Sequence, residues 1–554
     1  MKIGLRDDKL VLTFKYDSRV VERVKALPGR HYSPRHKQWI VPMDHLQAVI
    51  DTLIPLGFHA DPAIFALREK EETKRVMLAA IRDRPDMYDG RLPLYDFQKI
   101  GAMFMRASDG TLLADVPGLG KTIQTIAALE TLPGPFLVLC PASLKYGWMN
   151  EIKKWEPGAS VLIVEGKPSE REYKWKYAGI GKVKYIIANY ELLLRDLALI
   201  KPVAWSAIVC DEATRISNAR AKTVKSLRQL TAAKRIALTG TPVSNTPIDL
   251  WSIVDWIRPG YIGTFPQFKD TYVVTDWWGN TTGYINLDDL SAKISPLMLR
   301  RTKEEVFKDF PAKTIENVVF ELSSEEKLVY EGVLKRILIE IDEYLTKIDH
   351  RTLSIIPVKM LRLKQATDHV ALLGDKALEM GSSKMNALEE ILEPIIASGE
   401  KVIIFTQFVE MAKIMNNILS LSYGGIEMIY GDVKPEERQE IVKRFNTEQD
   451  RQILIMTEAG AYGLNLQGAS YVVHYDAPWS VAKLMQREDR AHRIGQTKPV
   501  TVYNLIAKNT IDEYVAAVLH KKHKTSQDIL KDIDRLEDAG LDEVDIKRIL
   551  RVVE

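Results

Sequence analysis

The chain has 554 residues, 46% hydrophobic and 27% charged, an ordinary globular composition that weighs against long disordered tails. No apolar run approaches the roughly 18 residues needed to cross a bilayer. The opening Met1-Lys2-Ile3-Gly4-Leu5-Arg6-Asp7-Asp8 lacks the apolar core of a secretory leader. At about 100–200 residues per domain, a soluble intracellular protein of three or four domains is expected.

The 77 basic and 74 acidic residues leave a formal charge of +3. That balance neither demands nor excludes nucleic acid, because a local patch can bind it. Residues 1–40 hold ten Lys or Arg against four Asp or Glu, with His31 and His36 in addition. Cys140 and Cys210 each close an apolar run, and two thiols make neither a disulfide framework nor a four-cysteine zinc site. Buried, reduced core thiols are expected.

In chain order, residues 1–60 read as a small α+β module. It has strands near Leu10–Phe14 and Gln38–Pro42 and helices at Val20–Leu27 and Leu46–Leu53, with Pro28-Gly29 as a breaker. A charged helical connector occupies 61–90. From 91 to 260 apolar runs at Thr111–Ala114, Phe136–Cys140, Tyr185–Ala188, Ala207–Cys210 and Arg235–Leu238 alternate with amphipathic stretches, the pattern of buried parallel strands with helices between them. Residues 261–390 are mostly helical in pattern, without that alternation. A second α/β block over 391–510 carries runs at Lys401–Phe405, Ile453–Met456, Tyr471–His474 and Val500–Tyr503. Residues 511–554 read as a charged helical brace. The predicted class is α/β, with two parallel-sheet lobes, helical insertions and the small N-terminal α+β domain.

Asp115-Val116-Pro117-Gly118-Leu119-Gly120-Lys121-Thr122 lies between an apolar run and a helix-like stretch. Glycines let backbone N–H groups approach a triphosphate, Lys121 would reach the β- and γ-phosphates, and the Thr122 hydroxyl would bind Mg²⁺. Asp115 stands where the strict phosphate-loop pattern has glycine, so a glycine-rich strand-to-helix turn is the alternative. Further on, Ile208-Val209-Cys210-Asp211-Glu212 ends a strand in two acids at the edge where parallel sheets bind ligands. Asp211 would hold Mg²⁺, and Glu212 would orient and deprotonate the attacking water. A solvated strand end is the bland alternative for that pair alone. Together the two segments point to ATP hydrolysis with Mg²⁺.

From Leu94 to Glu513 the chain resembles the Swi/Snf-type ATPases of helicase superfamily 2, which are translocases on double-stranded DNA. Tyr95-Asp96-Phe97-Gln98 resembles the leading motif whose glutamine contacts adenine. Leu137 to Leu144, with Trp148 and Trp155, resembles the next motif, near the DNA backbone. Leu238-Thr239-Gly240-Thr241-Pro242 with Asn245 resembles the third, and Leu299-Arg300-Arg301-Thr302-Lys303 the segment joining the lobes. Thr457 to Leu466 resembles motif V, and Gln486 to Gln496 motif VI. The resemblance implies two RecA-like lobes. It implies ATP contacts at Gln98, Gly118, Gly120, Lys121, Thr122 and Gly463, and DNA contacts at Ser143, Asn245 and Thr457. Arg490 and Arg493, three apart and so on one face if helical, would stabilise transition-state charge on the γ-phosphate. The chain departs from the family at Val116 and Pro117, where an acid and an apolar residue are usual, and at Thr214, where histidine is usual; these bear on loop geometry and coupling.

The segment from Phe14 through Tyr32-Ser33-Pro34-Arg35-His36-Lys37-Gln38-Trp39-Ile40-Val41-Pro42 resembles a HARP-type domain, found in the annealing-helicase branch of the same family. Arg35, Lys37 and Trp39 combine charge with an aromatic ring, which suits a phosphate backbone and an unstacked base; a solvated basic face over a core tryptophan is the alternative. The resemblance implies a DNA-dependent ATPase that tracks on double-stranded or branched DNA and rewinds it or remodels forks. The alternative is an ATP-driven remodeller that displaces protein, such as RNA polymerase, from nucleic acid. A single-stranded-DNA-binding, replication or transcription protein is a candidate partner. The expected compartment is the bacterial or phage-infected cytoplasm, or the nucleus in a eukaryote, with no membrane association.

Overall fold

The computed structural model of the chain describes residues 1–6, 9–34, 36–240, 247–277, 281–307, 309–345, 356–374, 381–458 and 464–519. These divide into two units, one ending at Val306 and the other beginning at Phe307. Among the described residues no helix is long and apolar enough to cross a membrane.

The first unit opens with strands β1 (Lys2–Arg6), β2 (Lys9–Thr13), β3 (His31–Ser33), β4 (Gln38–Pro42) and β5 (His59–Ala60), in the order β3-β4-β2-β1-β5. Ile3, Leu10, Leu12 and Val41 are buried against two helices. The helix Ser18–Ala26 is capped by Asp17, whose carboxylate accepts the Arg19 N–H at 2.9 Å. The helix Leu46–Leu53 buries Leu46, Val49, Ile50 and Leu53, a single apolar stripe at helical spacing. Strands β1, β3 and β5 go beyond the two expected: β3 and β5 are only three and two residues long, and β1 has only Ile3 and Leu5 as apolar side chains. The connecting helix Pro62–Ile81 lies within the stretch 61–90 expected to be helical. Arg82 then donates to the carbonyls of Ser295 and Met298 at 2.6 and 3.0 Å. His45 Nε2 lies 2.9 Å from the Gly260 carbonyl, so module and connector are both tied to the α/β body that follows.

That body holds β6 (Gly110–Leu113), β7 (Phe136–Cys140), β8 (Val161–Ile163), β9 (Tyr185–Asn189), β10 (Trp205–Asp211) and β11 (Ala232–Leu238). A hairpin follows, β12 (Val273–Thr275) with β13 (Thr281–Tyr284), and then β14 (Met298–Leu299). The sheet order is β14-β6-β11-β10-β7-β9-β8, parallel throughout. Its central strands are apolar on both faces because separate cores cover both. Cys140 and Cys210 are buried free thiols.

The second unit is another parallel sheet, made of β15 (Lys313–Phe320), β16 (Val402–Thr406), β17 (Ile426–Ile429), β18 (Ile453–Thr457), β19 (Tyr471–His474) and β20 (Val500–Ala507). The order is β15-β20-β19-β16-β18-β17. Two RecA-like lobes thus carry the α/β class. The stretch 261–390, expected to be helical, is corrected in part. Besides the helices Phe265–Tyr272, Leu287–Ile294, Ser324–Leu345, Ile356–Asp368 and Ser383–Ala397 it supplies a hairpin and one strand to each large sheet. β14 is only two residues long, and β15 is interrupted by exposed Glu316 and Asn317, so neither presents an apolar run of more than three residues.

Within the second unit Lys384 and Asp368 have no exposed surface and Asp512 is 6% exposed. Lys384 Nζ donates to Asp368 at 2.8 Å and to Asp512 at 2.7 Å. The Asp368 carbonyl also accepts the Tyr475 and Ser382 hydroxyls at 2.7 and 3.1 Å. One buried lysine therefore fastens three helical segments beside the sheet. Lys384→Met should destabilise this unit by about 3–5 kcal/mol, because two buried carboxylates lose their counter-charge. Urea unfolding followed by circular dichroism would measure the loss, and a change below 1 kcal/mol would refute it.

Candidate nucleotide and nucleic-acid sites

At the carboxyl edge of the first sheet, β6 runs out through Ala114 and Asp115 into the phosphate loop. Gly118 and Gly120 take φ of +91° and +76°, and the helix Lys121–Leu129 begins directly after Gly120. A Cβ on Gly120 would lie 2.7 Å from Gln98 Nε2, so glycine is required by both backbone conformation and space. The loop is held from several sides. Gln98 Nε2 donates to the Leu119 carbonyl at 3.2 Å and its Oε1 accepts the Tyr95 N–H at 3.2 Å. Lys121 Nζ donates to the Asp115 carbonyl at 2.8 Å. Thr122 is the second residue of the helix and half-buried.

Asp211 ends β10, separated from β6 in the sheet by β11. Its Oδ2 accepts the Trp148 indole N–H at 2.8 Å, its Oδ1 accepts the Glu212 N–H at 2.9 Å, and its carbonyl accepts the Tyr190 hydroxyl at 2.6 Å. Burial pushes the Asp211 carboxyl up from its ordinary value, while the Trp148 donor and the Lys121 charge pull it down. Glu212 sits at φ +50°, ψ +57°. For a residue with a Cβ this left-handed conformation costs about 1–2 kcal/mol, the kind of local strain that collects at functional sites. Thr214 follows in a short 3₁₀ turn.

Trp148 was grouped by its sequence context with residues near the DNA backbone. The structure instead buries it beneath the sheet edge, 3% exposed, as the donor to Asp211. Pro117, which departs from the usual pattern, packs on Gly240 of the third motif: a Cβ there would lie 2.6 Å from both Cδ and Cγ of the ring. The Thr239 N–H donates to the Leu113 carbonyl at 3.1 Å. Gly240 of the third motif is thus seated directly on the phosphate loop. Ser143 is exposed at the carboxyl end of β7, whereas Asn245 lies outside the described residues.

In the second unit Thr457 closes β18 and is 2% exposed. Gly463 lies outside the described residues. The expectation that Arg490 and Arg493 share a helical face is corrected: the helix Val481–Glu488 stops before both, and they stand half-buried in the turns that follow. The turn is pinned because the Arg490 carbonyl accepts the Leu466 N–H at 3.1 Å and Gln496 Nε2 donates to the Ala491 carbonyl at 3.2 Å. His369 caps a short 3₁₀ turn by accepting the Ala371 N–H on Nδ1 at 3.1 Å.

In the N-terminal module β3 and β4 form a hairpin whose tip carries exposed His36 and Lys37; Arg35 lies outside the described residues. Trp39 is half-buried and faces Tyr32 across the hairpin, with ring centroids 5.1 Å apart. It packs on the small core on one side and on Tyr32 on the other.

Family models match the chain twice, as an SNF2-related domain over residues 45–372 and as a helicase conserved C-terminal domain over 383–495. The chain belongs to the SNF2-related family. YwqA of Bacillus subtilis, provisionally named an ATP-dependent helicase/translocase, is 33% identical over 458 residues, 79% of this chain and 49% of that protein. The mouse SWI/SNF-related matrix-associated actin-dependent regulator of chromatin subfamily A member 1 is 31% identical over 451 residues, 76% of this chain and 42% of that protein. The chain spans about half the length of the curated relatives it matches. Among solved structures, the Sulfolobus solfataricus SWI2/SNF2 ATPase core in complex with dsDNA aligns with a TM-score of 0.39 at 33% identity, covering 84% of this chain and 98% of that one.

The Pro117–Gly240 contact gives a direct test of loop geometry. Gly240→Ala should displace the phosphate loop and weaken binding of a fluorescent ATP analogue about tenfold or more. Adding Pro117→Ala, which removes both clashing ring atoms, should restore most of that affinity. Equal affinity in the single variant would show that the contact does not set the loop.

Proposed function

We propose that the chain is a DNA-dependent ATPase that translocates on double-stranded or branched DNA. The observation that carries the reading is the convergence, at one sheet edge, of the Lys121 loop, the Asp211 carboxylate and the strained Glu212. Lys121 and the helix N-terminus would bind the phosphates, Gln98 would sit at the adenine end, and Glu212 would orient water for in-line attack on the γ-phosphate. Mg²⁺ would be held by the hard oxygen donors Thr122 and Asp211, and would supply charge neutralisation on the β- and γ-phosphate oxygens. The donor set fits, since the Thr122 hydroxyl in the first turn of its helix and the Asp211 carboxylate at the end of β10 are hard oxygen donors on elements of one sheet edge. Arg490 and Arg493 are assigned to the γ-phosphate at the moment of hydrolysis. The contact of the third motif with Pro117 supports a link between nucleotide state and DNA grip.

The finer reading is action at forks or in rewinding, and it rests on the N-terminal hairpin, where exposed Lys37 sits beyond the Tyr32–Trp39 pair. Positive charge over an aromatic platform suits a phosphate backbone next to an unstacked base. In steady-state assays at fixed salt, duplex or forked DNA should stimulate ATP hydrolysis. Glu212→Gln should keep nucleotide binding and lose about 10²-fold or more of turnover. Lys37→Ala with Trp39→Ala should lower stimulation by a fork more than by blunt duplex. Stimulation by none of single-stranded DNA, duplex, fork or RNA would refute the DNA-dependent reading, and equal loss on fork and duplex would refute the finer one.

A pH profile separates the role of Trp148. Removing its N–H takes away a donor to the charged form of Asp211, so the carboxyl titrates at higher pH. Trp148→Phe should therefore lose more kcat/KM at about pH 6 than at about pH 8, moving the acid limb upward. An acid limb identical to wild type would show that the indole does not tune this carboxylate.

A further inference from the structure

Asp115 replaces the glycine of the strict phosphate-loop pattern and has no exposed surface. Two oxygens of a buried carboxylate need donors, and most of these come from the far end of the same unit. Arg301 Nε donates to Oδ1 at 2.9 Å and Arg301 Nη2 to Oδ2 at 2.6 Å, a two-pronged clasp. Gln124, also fully buried, completes it: Nε2 donates to Asp115 Oδ2 at 3.0 Å and to the Leu119 carbonyl at 3.1 Å, while Oε1 accepts Arg301 Nη2 at 2.9 Å.

The backbone repeats the connection. The N–H groups of Leu112, Ala114 and Val116 donate in turn to the carbonyls of Leu297, Leu299 and Arg301, at 2.8, 2.7 and 3.1 Å. The chain from Leu297 to Arg301 is therefore zipped along β6 into the phosphate loop. The Arg301 guanidinium also donates to the Phe97 carbonyl and lies 5.3 Å above the Phe97 ring, beside Gln98. Val306, where the first unit ends, comes shortly after.

We infer that Arg301 is a positioning residue for the phosphate loop, working with Gln124 through Asp115, and that it ties the loop to the segment leading into the second unit. The inference rests on the ATPase reading above. It has chemical content beyond packing. The Asp115 carbonyl is the acceptor for Lys121 Nζ, so the clasp on the Asp115 side chain fixes the group that parks the phosphate-binding lysine. A freed Asp115 would let the loop and Lys121 drift from the geometry that receives a triphosphate. Arginine is needed because one ammonium group cannot reach both carboxylate oxygens, Gln124 and the Phe97 carbonyl together.

The test compares wild type, Arg301→Gln, Arg301→Lys and Gln124→Met in the full chain, by equilibrium binding of a fluorescent ATP analogue, ATP KM and kcat with duplex DNA, and thermal unfolding. Arg301→Gln should weaken analogue binding and raise KM about tenfold or more, with a smaller change in kcat. Arg301→Lys should recover part of the affinity, and Gln124→Met should shift it in the same direction while keeping core volume. Should Arg301→Gln fail to fold, Gln124→Met and Arg301→Lys carry the comparison. Folded variants with wild-type affinity and KM, whatever their melting temperature, would overturn the inference. A wild-type chain that binds no nucleotide would instead overturn the ATPase reading on which it rests.

Discussion

A carboxylate shut away from water is costly unless charge and hydrogen bonds meet it from the protein, and Asp115 imposes that condition on the centre of the first unit. Because its side chain has no exposed surface, Arg301 must lie within reach, which draws β14 against β6 and sets the edge of the sheet. Gln124 must turn inward from the helix Lys121–Leu129, which fixes that helix about its axis just where it begins to face a phosphate. Gln98 then packs on the same loop from the other side. Sheet edge, helix rotation and loop shape follow from satisfying one buried charge.

The parts of this arrangement that were legible in the sequence are the contiguous ones. Gly118 to Thr122 and Asp211-Glu212 announce themselves because a phosphate loop and an acidic strand end are each built from neighbouring residues. The groups that support them come from afar. Arg301 meets Asp115 across 186 residues and Trp148 meets Asp211 across 63, and no local spacing encodes either pairing. Family resemblance placed Trp148 beside the DNA, while the structure gives its N–H to a carboxylate. Pro117 reads as a defect in the loop until Gly240 is seen to make room for its ring.

Strands were legible where burial on both faces makes an apolar run, as at Phe136–Cys140 and Ile453–Met456, and illegible at sheet margins. β15 leaves Ile315 and Val319 exposed and breaks its apolar residues with Glu316 and Asn317, since among the described residues no strand lies at its outer edge, and so short an apolar run is a weak signal. Arg490 and Arg493 show a different limit. Their spacing suits a helix, but hydrogen bonds from Leu466 and Gln496, fixed only in three dimensions, end the helix at Glu488 and hold both arginines in turns.

The pairing of β15 with β20 also governs the order in which the chain can become a protein. The first unit gains its last sheet strand when Leu299 has been made. The second cannot close its edge until a strand lying 187 residues further on arrives, as the Asn317–Asn504 contact shows, and Lys384 waits 128 residues for Asp512. Such distant parallel pairing is slow and leaves an open strand exposed meanwhile. During synthesis β15, with Ile315 and Val319 exposed, would wait without its β20 partner. The window for misassembly therefore belongs to the second half of the molecule, and a chaperone attending this chain would find its work there.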